Sequence, residues 1–189
     1  MNGSMQLINF NLEEFEGFEE NEEILLDTGI ILAYLNKYDA WHTTIKNLFE
    51  NHIFNNEKVM FLFVNPCMVN EVAFLSERPL ENFLKKNKGM RFSKEEKVKV
   101  KKQTLNTLEQ LIENEVLLVL DGDKSSVLKQ IQLSDKLGPA DAVNASLAHE
   151  YGINFLTVDK RLALNIKENE NELKDIPKVY YTTYEHRDY

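Results

Sequence analysis

Short apolar runs alternate with longer segments of helical periodicity along most of the chain. The runs cover residues 24–26, 59–64, 116–120 and 153–158, and residues 178–184 form a fifth candidate strand. Between the runs, apolar residues recur at spacings of three and four, which is typical of amphipathic helices. Strands separated by helices favour right-handed crossovers and a parallel sheet. The pattern therefore predicts a three-layer α/β/α domain with a mainly parallel, Rossmann-like central sheet.

Two segments depart from this alternation. Residues 1–23 contain seven Glu and no Lys or Arg, which predicts an acidic N-terminal arm, extended or as a short helix, on a domain spanning 24–189. Residues 76–115 hold no strand-like run and predict a helical basic insertion, as two helices with a break near Gly89.

The charge distribution changes what the net charge implies. A chain of 189 residues with net charge −9 argues for one domain and, taken alone, against nucleic acid as a partner. Residues 85–102, however, carry nine Lys or Arg against two Glu. This segment is either a solvated helix face or an RNA-binding surface. The residues that we expect to contact RNA are Arg91, Lys97, Lys99, Lys101 and Lys102, with Phe92 available for base stacking.

Composition also bears on the compartment. No stretch approaches the roughly 20 apolar residues of a membrane span, and the acidic start is the reverse of a signal peptide. Cys67 is the single cysteine, so an internal disulfide is excluded and a reducing cytoplasm is expected. Its apolar surroundings predict a buried side chain.

Four acidic residues stand where strands end or helices run. Asp27 and Asp159 each close an apolar run, Asp141 opens an alanine-rich helix, and Glu71 lies within the apolar stripe of another helix. Parallel strands would bring both strand-end aspartates to one edge of the sheet, where open α/β folds bind ligands. Converging carboxylates repel one another unless a cation joins them. The arrangement predicts a Mg²⁺ or Mn²⁺ site.

Each of these residues also has a structural interpretation. Asp27 and Asp159 could be helix N-caps, and Asp141 could simply favour a helix dipole. Glu71 is harder to explain in this way, because a carboxylate turned towards a core needs a partner. Asn144 shares the helix face of Asp141 and is a candidate supporting residue.

Four segments resemble, in chain order, the motifs of PIN-domain ribonucleases, which include the toxins of bacterial VapBC-type toxin–antitoxin pairs. They are residues 25–28, 70–72, 139–145 and 155–162. The resemblance implies that Asp27, Glu71, Asp141 and Asp159 are the catalytic and metal-binding acids, with Thr28 and Thr157 as supporting hydroxyls. Gly29 departs from the family, which usually has Asn or Ser there. The segment 76–115 is also longer and more basic than in a compact toxin.

The predicted function is that of a Mg²⁺- or Mn²⁺-dependent endoribonuclease that cuts single-stranded or looped RNA. Asp27 and Asp141 would be the primary ligands, and Glu71 a ligand or base. Asp159 would act directly or through water. An antitoxin-type inhibitor and a second copy of the chain are the expected protein partners.

The main alternative is a catalytically degenerate PIN-like module that binds RNA or protein. Haloacid dehalogenase and receiver chemistry both fit poorly, because Asp27 has no second acid beside it at the first strand end.

Overall fold

The computed structural model describes residues 4–55 and 57–183, which form a six-stranded sheet flanked by helices. The strands lie in the order β1-β6-β5-β2-β3-β4, and every neighbouring pair is parallel. Their bounds are Gln6–Asn9 (β1), Glu22–Leu26 (β2), Met60–Val64 (β3), Leu118–Val119 (β4), Asn154–Leu156 (β5) and Lys178–Tyr181 (β6). The predicted α/β fold with a parallel central sheet is confirmed.

Eight α-helices connect and cover these strands within the described ranges. They are Thr28–Leu35 (α1), His42–Phe49 (α2), Pro66–Leu75 (α3), Arg78–Lys86 (α4), Lys94–Glu113 (α5), Lys124–Leu137 (α6), Pro139–Tyr151 (α7) and Lys160–Glu168 (α8). A π-helical segment, Glu50–Phe54, prolongs α2. None of the described helices has the length and apolar character needed to cross a bilayer.

The strand order reverses between β2 and β5. From β2 the chain proceeds to β3 and β4 on one side, and it then returns to β5 and β6 on the other. The side chains of Ile24, Leu25 and Leu26 in β2 are fully buried, which fixes this strand at the centre of the core. Open α/β folds bind ligands beyond the carboxyl ends of the strands at such a reversal. Asp27 and Thr157 are the residues that follow the two strands there.

Local sequence signals explain where several helices begin. The Asn65 side chain accepts a hydrogen bond from Met68 N at 2.9 Å and caps α3, with Pro66 in its first turn. Gly138 has φ +94°, a left-handed conformation that favours glycine, immediately before Pro139 opens α7. Ser93 and Glu96 form a capping box at the start of α5.

The basic insertion consists of α4 and α5, two helices separated near Gly89 as predicted. Phe92 lies between them and contacts the ring of Tyr38 edge-on, with 5.5 Å between the ring centroids. Phe92 is half-buried by this contact, and its use for base stacking stays a prediction.

Two strands are shorter than the apolar runs that predicted them. Val116 and Leu117 donate their amides to the carbonyl of Leu111, which closes the end of α5 and leaves only Leu118–Val119 for pairing with β3. Ile153 similarly donates to Ala148 O beyond α7, so β5 begins at Asn154.

The acidic N-terminal segment contributes a strand, which the sequence did not predict. β1 pairs with β6 from Gln6 opposite Lys178, and the buried ring of Phe18 packs against Tyr180 with 4.9 Å between centroids. β2 begins at Glu22, earlier than predicted, because Tyr180 Oη and Lys178 Nζ donate to its buried carboxylate. The proposed division at residue 23 stays a prediction. Residues 1–3 and 184–189 of the predicted arm, strand and domain lie outside the described residues.

Candidate active site

Asp27 lies directly after β2, and its carboxylate is held at both oxygens. Oδ1 accepts the amide of Thr28 at 2.8 Å and Oδ2 accepts the hydroxyl of Thr157 at 2.8 Å. Burial raises the pKa of Asp27 to about 6; these two hydrogen bonds oppose the rise, and the charges of Glu71 and Asp159 add to it. Asp27 therefore caps α1, and it is also a buried acid whose ionised form is unfavourable.

Thr157 follows β5 and connects Asp27 to Asp159. Its fully buried hydroxyl donates to Asp27 and accepts the amide of Asp159 at 2.9 Å. Asp159 itself is exposed, and its Oδ1 accepts the amides of Arg161 and Leu162 at 2.7 and 3.1 Å. Asp159 therefore caps α8, as the helix-cap interpretation states. Its charge also raises the pKa of Asp27.

Glu71 is half-buried on α3, between the buried residues Met68 and Val72 of its own helix. Its Oε2 accepts the hydroxyl of Thr28 at 2.6 Å. Because the amide of Thr28 donates to Asp27, this one residue joins the two carboxylates. The sequence indicated that the Glu71 carboxylate needs a partner outside its own helix. Thr28 supplies part of that compensation.

Two asparagines form a buried chain of side-chain amides that ends at Asp27. Asn65 Oδ1 accepts from Met68 N, which leaves Asn65 Nδ2 to donate to Asn144 Oδ1 at 2.8 Å. Asn144 Nδ2 then faces Asp27 Oδ1 at 3.5 Å. The backbone amide of Met68, the first donor in this series of hydrogen bonds, thus fixes the orientation of both side-chain amides. Asn65 was not singled out in the sequence analysis; it caps α3 and also follows β3, the strand beside β2.

Asp141 lies in the first turn of α7 and is partly buried. Burial first, and then the charges of Asp27, Asp159 and Glu71, raise its pKa to about 7, against the opposing charge of Arg161. All four predicted acids therefore lie close enough to repel one another. The structure brings them together at the carboxyl edge of the sheet.

The donor set fits a small divalent cation. Carboxylate oxygens are hard donors, and burial together with repulsion among the acids raises the pKa of Asp27 and of Asp141, so a bound cation would stabilise their ionised forms. Within residues 4–55 and 57–183, no three His, Cys, Asp or Glu side chains are grouped so that they could hold a metal ion by themselves. Mg²⁺ does not need such a group, because it is commonly bound by one or two carboxylates together with water and substrate phosphate.

Comparison with known families decides the classification. The family model described as "PIN domain" matches residues 24–167, more than half of the chain. The chain belongs to the PIN-domain family. Comparison with curated proteins gave no significant match.

Solved structures with the same fold are distant in sequence. FitAB bound to an IR36 DNA fragment has 14% identity and a TM-score of 0.50, covering 86% of this chain and 99% of that one. VapBC2 from Rickettsia felis, bound to a DNA fragment from its promoter, has 14% identity and a TM-score of 0.47, covering 84% and 98%. VapBC-1 from nontypeable Haemophilus influenzae has 15% identity and a TM-score of 0.44, covering 82% and 96%. These likenesses concern the PIN fold.

Gly29, the departure noted in the sequence of this PIN domain, has a packing reason. A Cβ at this position would lie 2.9 Å from Val158 Cγ2 and 3.5 Å from Asp27 Oδ2. A contact of 2.9 Å to carbon requires the neighbouring side chain to move. Glycine therefore lets the start of α1 approach the loop after β5, which keeps Asp27 beside Thr157.

The residues expected to bind RNA do not share one surface of the PIN domain. Lys101 Nζ lies 3.2 Å from Glu77 Oε1, at the junction of α3 and α4, and Lys97 is half-buried one turn earlier on α5. Lys99, Lys102 and Arg91 are exposed. Only Lys101 is placed by a described contact near the helix that carries Glu71.

Cys67 is exposed, so the prediction of a buried thiol is wrong. It lies one position before Met68, and Met68 and Val72 define the buried face of α3. Cys67 instead lines a cavity of about 190 Å³ between α3 and α6.

Proposed function

We propose that this PIN domain is a divalent-metal-dependent endoribonuclease that cuts single-stranded or looped RNA. The observation that carries the proposal is the meeting of Asp27, Glu71, Asp141 and Asp159 at the β2–β5 reversal, with the pKa of Asp27 and of Asp141 raised well above the ordinary value. Burial and mutual repulsion both oppose ionisation of these carboxylates, and a bound cation offsets both effects.

Asp27 and Asp141 would hold Mg²⁺ or Mn²⁺, with Glu71 as a further ligand or base and Asp159 acting directly or through water. When bound, the cation would polarise the phosphate and stabilise charge on the leaving oxygen. Glu71 is partly open to solvent and its Oε2 is fixed by Thr28, so it can accept the proton of an attacking water. Thr157 and Asn144 direct donors at Asp27 and hold its carboxylate in place.

RNA binding must draw on groups outside the acidic site, because an uncompensated carboxylate cluster repels phosphate. The insertion supplies the cations in α4 and α5, and Lys101 lies next to the end of α3. Extended single strands can reach a recessed edge of a sheet that a rigid duplex cannot enter.

We further propose a cytoplasmic protein that is controlled by an antitoxin-type inhibitor and that forms a homodimer. The support is the toxin–antitoxin resemblance of the four acidic motifs together with the single, unpaired cysteine. A catalytically degenerate module that binds RNA or protein is the alternative, and the presence of all four acids counts against it.

The decisive experiment compares cleavage of labelled RNAs by the parent, Asp27→Asn and Asp141→Asn, with Mg²⁺, Mn²⁺ or EDTA. Both substitutions should abolish metal-dependent cleavage of single-stranded RNA, while duplex RNA and DNA are cut poorly by the parent. Asp123→Asn is the matched control, because Asp123 caps α6 through Ser126 N and Asn caps equally well. Cleavage by Asp27→Asn at the parental rate would refute the proposed site.

A further inference from the structure

Phe74 on α3 is an unusual surface residue. Its side chain is 83% exposed, the highest value for a large apolar residue in the described part of the chain. The buried side of the same helix is made by Met68 and Val72, so the packing of α3 does not require an aromatic ring on its outer face. Single exposed apolar residues are common on protein surfaces, so the significance of Phe74 depends on its position beside the acidic site.

The position of Phe74 relative to the acidic site is set by helix geometry. Phe74 follows Glu71 by three residues, and such pairs are neighbours on a helix surface. Helical side chains lean towards the N-terminus, so the Phe74 ring lies over the turn that carries Glu71. Glu71 in turn accepts the hydroxyl of Thr28 beside Asp27. The ring is therefore next to the carboxylates and outside them.

A basic side chain lies on the other side of Phe74. Ser76 and Glu77 keep right-handed helical backbone angles beyond α3, and Glu77 pairs with Lys101 at 3.2 Å. Phe74 therefore lies three residues from Glu71 on one side and three residues from Glu77 on the other. The exposed Lys101–Glu77 pair contributes little to stability, so Lys101 can turn to a phosphate at small cost.

We propose that Phe74 is a stacking platform for a nucleobase of single-stranded RNA directly beside the cleaved phosphate, with Lys101 on the adjoining backbone. The inference rests on the proposed ribonuclease function and specifies how its substrate is held. Stacking suits this location because it draws affinity from a neutral base, whereas the flanking Glu71 and Glu77 oppose phosphate binding. It also predicts tolerance of sequence, since every base offers a flat face.

The test uses Phe74→Ala, Phe74→Leu and Phe74→Trp, with Ile131→Ala on α6 as a control at another exposed apolar residue. Stacking on one base is worth roughly 5- to 150-fold in affinity. Phe74→Ala should raise KM for a short single-stranded RNA by a factor in this range and leave kcat unchanged. Phe74→Leu should behave like Phe74→Ala, whereas Phe74→Trp should keep the parental KM, and Ile131→Ala should change neither constant.

An abasic scan of the RNA identifies the stacked base. At one position beside the cut, an abasic nucleotide should weaken the parent by the same factor as Phe74→Ala, and the two losses should not add. Fluorescence anisotropy of labelled RNA, with both proteins carrying Asp27→Asn to prevent cleavage, measures the same comparison of Phe74→Ala and abasic RNA as binding affinities. If Phe74→Ala keeps the parental KM and the parental affinity for every RNA in the scan, the inference is overturned. Phe74 would then be assigned to contact with a protein partner. Phe74-dependent binding without cleavage by the parent would instead refute the nuclease proposal alone.

Discussion

Replacing Asp27 by Asn should stabilise the metal-free protein at pH 8 and leave its stability nearly unchanged at pH 4.5. The folded pKa of Asp27 is about 6, above its ordinary value of 3.8. A raised acid pKa means that ionisation is harder in the folded state than in the unfolded chain. Its stabilising contribution is therefore complete below pH 3.8 and is lost as pH rises through about 6. Asn cannot ionise, so the variant escapes this loss.

The magnitude follows from the shift and from the contacts of the carboxylate. A rise from 3.8 to about 6 corresponds to about 3 kcal/mol at 1.36 kcal/mol per unit. Against this, the Asn amide replaces Oδ2, so Thr157 Oγ1 must accept where it previously donated. Rearranging that hydrogen bond costs about 1 kcal/mol. We expect a net gain of about 2 kcal/mol at pH 8 and almost no net change at pH 4.5, where escaping the ionisation loss is worth only about 1 kcal/mol.

Urea unfolding followed by the fluorescence of Trp41, the single tryptophan, measures both values in EDTA across this pH range. Asp123→Asn is the control, because the Asp123 carboxylate is exposed and its amide bonds lower its pKa, which gives no gain at high pH. If Asp27→Asn loses the same stability at pH 4.5 and at pH 8, Asp27 acts chiefly as a cap and the repulsion argument fails.

Three further outcomes test other parts of the structure. Gly29→Ala should destabilise the fold by about 1–3 kcal/mol in chemical denaturation, because its Cβ meets Val158, and adding Val158→Ala should restore most of that loss. Millimolar Mn²⁺ should raise the melting temperature of the parent but not of Asp141→Asn, since an ion that binds only the folded state stabilises it by mass action. Lys101→Gln should flatten the salt dependence of single-stranded RNA binding by about 0.7 in log–log slope, whereas Lys102→Gln should have a smaller effect; equal slopes for the two variants would place neither on the RNA path.

The meeting of the acidic residues was predictable because it depends on two local signals. Asp27 ends a fully buried run, and Thr157 and Asp159 end another, so parallel pairing alone brings them to one edge. The carboxyl ends of all parallel strands lie at the same edge of the sheet, so this prediction does not depend on the exact register of the strands. The helix that carries Asp141 was equally marked by Gly138 and Pro139.

The contacts that tune the site had no such signal. The hydrogen bonds from Thr28 to Glu71 and from Asn65 to Asn144 join residues 43 and 79 positions apart. Sequence periodicity reports which face of an element is buried and does not report which residue lies opposite. For the same reason β1 was missed, since its only partner strand, β6, lies at the far end of the chain.

The sequence also did not show which face of α5 packs against the domain, for a different reason. Lysines recur all around its N-terminal half, so charge alone does not define a face. The packing of Thr104 and Leu108 decides it, and this packing directs Lys101 towards Glu77 and leaves Lys102 in solvent.

The geometry around Asp27 ties the stability of the fold to the affinity for a cation. Thr28 and Thr157 lower the pKa of a carboxylate that burial raises, and the balance leaves Asp27 near neutrality when no cation is bound. A cation recovers part of the free energy, about 3 kcal/mol, that the metal-free fold loses on ionising Asp27, chiefly through burial of the charge and to a smaller extent through repulsion by Glu71 and Asp159. Substitutions that relax the repulsion should therefore weaken metal binding as they stabilise the protein. An acidic site that kept its cation affinity after such a gain would need a source of binding energy other than the repulsion among these four carboxylates.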